Sequence, residues 1–405
     1  MSTKTSVFIA SFSACASVAA LLGACATDGE TRPEDKPPPS TIPEPTADGG
    51  ADATTAEADA GACADCDYFP ETCTPEVLCP NGPFDPKGLG AGLSPMAQIN
   101  VIRGRSTNDV WVAGAMGALA HFDGTSWAVS DPGAKETLRA LLLRDSGEIV
   151  FGEVAKIFTR GLPVDDGGTP SAGGWVVRDR SSIDFEYDPE SLKLTAAWAS
   201  PDSEWIWCAT TAKRPGMANG LWRLRVSPSA PPEVTAALPP GRCSEIPCSQ
   251  MLALHGAAAD SLWAVGMGGA AVRVTGAESD TPTVTPFNTQ TLNALQGVWT
   301  ASDTEAWAVG TQGTIRHYAG DPVSWEVSNA PTKVDLFSVW GSSGSDVWAV
   351  GDDAVVLHYD GTSWSRVKVA GLGPRRPKLT AVWLAAPGHV VVGGEGVILS
   401  LGGKP

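Results

Sequence analysis

Apolar residues along this chain come in short runs, separated at close intervals by glycine, serine and aspartate. Asp346-Val347-Trp348-Ala349-Val350-Gly351 reads as a short apolar strand ending at a glycine, and Val355-Val356-Leu357-His358-Tyr359 reads as a second. Asp360-Gly361, before Trp364, is a hairpin turn signal, because Asp-Gly supplies the positive φ such turns need. Upstream, Leu336-Phe337-Ser338-Val339-Trp340 is another apolar run, set off by the turn Ser342-Ser343-Gly344-Ser345. The pattern predicts three or four short antiparallel strands in about 40 residues. A unit that small cannot bury its own apolar face and must stack on copies of itself.

The copies are present. Residues 108–127 repeat residues 345–364 almost position for position, and residues 304–325 are a looser version. Aligned on Trp348, the anchor positions are Trp111, Val150, Ile206, Trp263, Trp307 and Val391, with spacings of 39, 56, 57, 44, 41 and 43 residues. Eight residues before the anchor stand Arg103, Leu142, Trp198, His255, Trp299, Trp340 and Trp383. Seven copies of roughly 40–45 residues predict an all-β fold, a seven-bladed β-propeller of four-stranded antiparallel blades. The competing arrangement of such units is a β-solenoid. The last copy stops at Leu399-Ser400-Leu401-Gly402-Gly403 without an outer strand. Residues just before Gln98 are expected to supply it, so that the ring closes by pairing the chain ends.

The D-V-W-A-V-G…H-Y-D-G-x-S-W repeat resembles that of predicted propeller lipoproteins of myxobacteria and their relatives. More weakly, it resembles the Asp-box and photosystem-assembly-factor propellers, which carry D-G-G-x-T-W. Here one glycine follows the aspartate, as in Asp123-Gly124-Thr125-Ser126-Trp127. The resemblance covers residues 98–403 and implies a fold. It implies almost nothing about a ligand, since propellers host unrelated functions.

The N-terminus suggests an address. Val7 to Leu22 is a run of apolar and small residues, and Leu22-Gly23-Ala24-Cys25 matches a bacterial lipobox. On this reading residues 1–24 are a lipoprotein signal peptide and Cys25 becomes the lipidated, palmitate-bearing N-terminus. An ordinary secretory signal cut nearby is the alternative. Alanine rather than aspartate follows Cys25, which by analogy with lipoprotein sorting points to the outer membrane. Residues 25–62 read as a disordered tether: 26–62 hold nine acids, two bases and almost nothing that could enter a core. Such a segment reaches roughly 30–100 Å.

Residues 63–83 hold Cys63, Cys66, Cys73 and Cys79, and an exported chain favours two disulfides there over a zinc site. Their pairing is not legible. Cys243 and Cys248 sit in one loop and are expected to bridge, while Cys208 reads as a buried free thiol. The propeller is expected from residue 84 to 405.

The net charge of −17 disfavours a nucleic-acid partner. His121, His317 and His358 occupy one repeat position, and Asp109, Glu148, Glu204, Glu305 and Asp346 another. Both read as structural, the histidines bonding an adjacent turn and the acids capping strand turns. Trp111, Trp263, Trp307 and Trp348 read as packing between blades. Trp205, Trp207 and Trp222 lie near long insertions at 162–174, 213–220 and 227–249, and are candidates for stacking on carbohydrate if exposed, although core packing is the favoured reading for them too. No catalytic motif stands in a suitable context, and no cofactor is expected. The expectation is a membrane-anchored, non-catalytic binding or scaffold platform for an envelope protein. The alternative is a carbohydrate-binding or carbohydrate-active propeller at the cell surface.

Overall fold

Seven antiparallel sheets of four strands make up the chain. The computed structural model describes residues 65–85, 92–145, 147–163, 168–179, 192–212, 219–227, 230–239 and 241–403. The signal segment, Cys25, the tether and Cys63 lie outside the described residues. Within six of the sheets the strands run in sequence order from the inside out, and in the seventh the three inner strands do. The inner strands are Ile99–Ser106, Ala140–Arg144, Leu192–Trp198, Met251–Ala258, Leu295–Ser302, Leu336–Ser343 and Leu379–Leu384. Each packs against the next, and the seventh packs against the first, so the blades form a closed ring.

All seven anchor positions fall on the second strand of a successive blade. These strands are covered on both faces by neighbouring blades, which explains an uninterrupted run such as Val347 to Gly351, buried throughout. The slot eight residues upstream is the cross-strand partner: Trp340 faces Trp348, Arg103 faces Trp111 and His255 faces Trp263. In blades two and three the register is one residue off, with Leu141 facing Val150 and Trp198 facing Trp207. The Asp-Gly turns join third and outer strands. Asp360 accepts hydrogen bonds from the Thr362 and Ser363 N–H groups, and Gly361 takes φ +91°.

The closing strand comes from further upstream than expected. Leu78–Pro80 pairs with Val397–Leu401 as the outer strand of blade seven. The ring therefore begins inside the cysteine-rich segment, before residue 84. Leu78 is fully buried in the core shared with blade six, and its backbone also bonds Lys368 and Ala370. Cys79 lies in this strand and bridges to Cys73. Residues just before Gln98 supply no strand to blade seven: Leu93 and Gln98 make isolated bridges, to Phe84 and Glu395.

The inner strands are stitched to one another by polar side chains. The Thr195 hydroxyl donates to the Met251 carbonyl, Thr300 to His255 and Thr380 to Ile99. Asn100 donates to the Leu138 carbonyl. Indole rings add a second contact: Trp383 of blade seven lies over Gly104 of blade one, where a Cβ would come within 2.4 Å of the ring. Trp198 and Trp299 lie in the same way over Gly256 and Gly341. Gly104→Ala is therefore expected to cost about 1–3 kcal/mol of stability by overpacking, read from the denaturation midpoint. An unchanged midpoint would show that Trp383 has room to swing away.

The long insertions divide between the two ends of the ring. Residues 162–174 join the third and outer strands of blade two, and residues 213–220 join the second and third strands of blade three. Residues 227–249 are not one insertion. They contain the outer strand Ala230–Ala236 and a link held by the Cys243–Cys248 disulfide. Residues 164–167, 213–218, 228–229 and 240 lie outside the described residues.

Candidate binding face and central channel

The repeated acids and histidines meet each other rather than the turns. In blade one the Asp109 carboxylate accepts from the Trp111 indole at 3.1 Å and lies 2.8 Å from His121 Nε2. In blade six Asp346 holds Trp348 and His358 in the same way, at 2.9 and 2.8 Å. The imidazole stacks on the indole, with ring centres 4.3 Å apart in blade one and 4.4 Å in blade six. Burial pushes the Asp109 and Asp346 carboxyls up. The hydrogen bonds of Arg105 and His121 to the first, and of Ser342, His358 and Trp348 to the second, outweigh burial and hold both below the usual range. Blade five carries Glu305 instead, and the extra methylene leaves its carboxylate 3.4 Å from His317 Nε2. In blades two and three arginines complete the pattern: Arg160 pairs with Glu148, and Arg225 with Glu204.

Anchor tryptophans also pack between blades, as the sequence predicts. Tyr318 and Trp325 of blade five cover Trp263 of blade four, and Tyr359 and Trp364 of blade six cover Trp307 of blade five. Among the described residues no group of histidine, cysteine and carboxylate side chains is placed to hold a metal ion.

Trp205, Trp207 and Trp222 do not form an exposed platform. All three are buried. Trp207 and Trp222 occupy opposite sides of blade three, in the cores shared with blades four and two. Trp205 is covered by Arg223 and Arg225, at 4.6 and 4.7 Å from its ring centre. Near-continuous burial of inner propeller strands places tryptophan in the core irrespective of nearby loops. Cys73 is bonded to Cys79, a pairing the sequence leaves open, and Cys243 is bonded to Cys248. Cys66 is also disulfide-bonded, and Cys208 is a buried thiol whose pKa is raised by burial.

A different set of residues marks one end of the ring. The turn joining second and third strands returns the chain to the level where the inner strands begin. Ala115 N–H bonds the Gln98 carbonyl, and Met267 N–H bonds that of Gln250. On this face stand Leu292, Met96, Met116 and Met267, with 89, 84, 53 and 52% of their surface exposed. The other large exposed apolar side chains among the described residues are valines. Three lie on outer strands (Val129, Val177 and Val327), and Val323 lies between the third and outer strands of blade five.

At the centre of the same face the channel opens into a cavity of about 300 Å³. Residues at or just before the starts of the inner strands line it, including Arg139, Lys193, Gln296 and Phe337. Its floor is a plug. The Arg103 guanidinium lies over the Trp340 ring, 4.6 Å from its centre, and His255 meets the same ring edge-on at 4.8 Å. Arg103, His255 and Trp340 also line a second cavity of about 270 Å³ on the far side. Burial lowers the Arg103 pKa to about 10, so the group stays charged at neutral pH, and burial lowers that of Arg139 as well. The sequence offered Arg103 and His255 only as substitutes for tryptophan in a repeat slot, and Arg139 not at all. Their departure from the repeat was the available signal.

No protein-family model matches the chain, and no curated protein sequence matches it. Solved structures resemble it in fold. YCF48 bound to D1 peptide aligns with 82% of this chain and 96% of its own, at 14% identity and a TM-score of 0.54. The WD40 β-propeller domain of Doa1 aligns over 75% and 91% at 8% identity and TM-score 0.52. Sqt1 of Chaetomium thermophilum, bound to the N-terminus of ribosomal protein L10, aligns over 75% and 96% at 13% identity and TM-score 0.50. The chain is a β-propeller, and the photosystem-assembly factor is among the folds it resembles.

Proposed function

We propose that this protein is a non-catalytic binding platform for a protein of the cell envelope, anchored to the outer membrane through a lipidated Cys25. Residues 25–62 tether the propeller away from the bilayer. The observation that carries the binding reading is the exposure of Met96, Met116, Met267 and Leu292 on the face where the inner strands begin, contributed by blade one and by blade four with its link to blade five. Methionine is adaptable and recurs on protein-binding surfaces, and unpartnered apolar side chains gathered on one face mark an interaction site. YCF48 and Sqt1, solved with a peptide and with a ribosomal-protein N-terminus, are propellers that engage polypeptide partners, which supports the same use here. The carbohydrate alternative loses its stacking residues with the burial of Trp205, Trp207 and Trp222.

The test is crosslinking in intact cells with mass spectrometry of what is captured. Changing Met116, Met267 and Leu292 together to glutamate is expected to weaken capture of the partner about tenfold or more, with little change in melting temperature. Undiminished capture would move the interface elsewhere. In the same cells Cys25→Ser is expected to shift the protein from the membrane to the soluble fraction, and retention on the membrane would refute the lipid anchor.

A further inference from the structure

The cavity at the channel mouth has an unusual charge balance for so acidic a protein. Among the described residues its lining includes three cations, Arg103, Arg139 and Lys193, and no aspartate or glutamate. They come from blades one, two and three, so they share one side of the channel. Arg103 has one side-chain hydrogen bond, to its neighbour's carbonyl on Ile102. Among the described residues none of the three forms an ion pair. The neutral polar side chains of the lining are mostly committed elsewhere. Thr195, Thr380 and Asn100 stitch blades together, and the Ser338 hydroxyl accepts from the Val382 N–H. Inner-strand edges present N–H and C=O groups alike, so the side chains set the sign of the cavity. A buried cation without a partner is costly, and a chain with net charge −17 has carboxylates to spare. Three cations gathered on one side of the channel, with no carboxylate among the described lining residues, favour an anion supplied from outside.

We propose that this cavity is a binding site for a small dicarboxylate. The Arg103 guanidinium, over the Trp340 indole, carries a donor fork that matches a carboxylate. Arg139, just before the inner strand of blade two, and Arg103, within that of blade one, line the same cavity from neighbouring blades, so two acidic ends can be met at once. Between them the wall is aliphatic and aromatic, with Val101, Ala196, Ala253 and Phe337, which suits a hydrocarbon spacer and leaves a bare inorganic anion with unfilled space. The volume lies at the lower end of small-molecule sites. This inference stands apart from the protein-partner reading, since it concerns the cavity and not the apolar rim.

The experiment is titration calorimetry on the full chain at low ionic strength with succinate, glutarate and adipate. Succinamide and inorganic phosphate serve as comparison probes. Saturable binding of at least one dicarboxylate is expected below about 10 mM, with none for succinamide. Affinity is expected to fall about tenfold or more in Arg103→Gln and in Arg139→Gln. Arg139 takes no part in the plug, so its variant keeps the test valid if Arg103→Gln disturbs folding. Absence of saturable binding for all three dicarboxylates would overturn the proposal. So would affinities unchanged by Arg139→Gln, or phosphate binding more tightly than every dicarboxylate.

Discussion

A chain begun at residue 84 is expected to melt about 5 °C or more below one begun at residue 65, and to aggregate on heating. The shorter chain lacks Leu78–Pro80, so the Val397–Leu401 strand becomes an open edge, a template for pairing with other molecules. It also lacks Leu78, fully buried between blades six and seven. Removing a buried leucine side chain alone costs about 2–5 kcal/mol, and for a domain of this size each kcal/mol moves the midpoint by about 2 °C. Further losses add to this. Phe69 packs against the same core, and Arg366 and Arg376 lie over the Phe69 ring at 5.4 and 3.6 Å. Differential scanning calorimetry of the two chains decides the matter. Equal melting temperatures would mean that the ring is held by its inner strands and that the outer strand of blade seven is dispensable. The Cys73–Cys79 bridge spans only six residues, so its loss restores little chain entropy. Its part is to hold a three-residue strand in place.

Repetition made the architecture legible. An anchor tryptophan, an acid two residues before it and a histidine beyond the next turn recur because they form one hydrogen-bonded and stacked cluster on adjacent strands. Sequence alone gives their spacing but not their contact. That the histidines bond the acids became visible only once the register set Trp348 beside His358. In blades two and three the cluster is replaced by arginine–glutamate pairs, which removes the periodic signal and explains the one-residue error in their alignment. The closing strand was misplaced for a related reason: Leu78-Cys79-Pro80 has no repeat signature, and the cysteines around it suggested a separate stapled element. The candidate tryptophans failed on burial. Residues next to an insertion in sequence can still be packed on both faces when their strand lies inside a blade. The channel residues were hardest to find, because a cavity is lined by one residue from each of several copies and none of them is distinctive alone.

His255 makes the fold sensitive to acid through a neutral buried ring. Its Nδ1 accepts a hydrogen bond from the Thr300 N–H at 3.0 Å, which fixes the proton on Nε2 and requires a neutral ring. Burial, and then the charge of Arg103, lower its pKa to about 3. Trp198 and Trp340 pack around the ring, and no carboxylate lines either cavity beside it to stabilise an imidazolium. Since the folded pKa lies below the unfolded value of about 6.5, this contribution to stability is complete above about pH 6.5 and declines as the pH falls towards the folded pKa. At about pH 4.5 the deficit amounts to roughly 2.7 kcal/mol, two units at about 1.36 kcal/mol each. His255→Gln keeps an acceptor for Thr300 and carries no titrating proton. Its stability deficit against the parent is therefore expected to shrink by about that amount between about pH 7.5 and 4.5, as measured by chemical denaturation at both pH values. Subtracting the two proteins removes the titration of Asp109, Asp346 and the turn aspartates, which is common to both. A constant deficit would mean that water reaches the imidazole in the folded state, and that the plug between the two channel cavities is open.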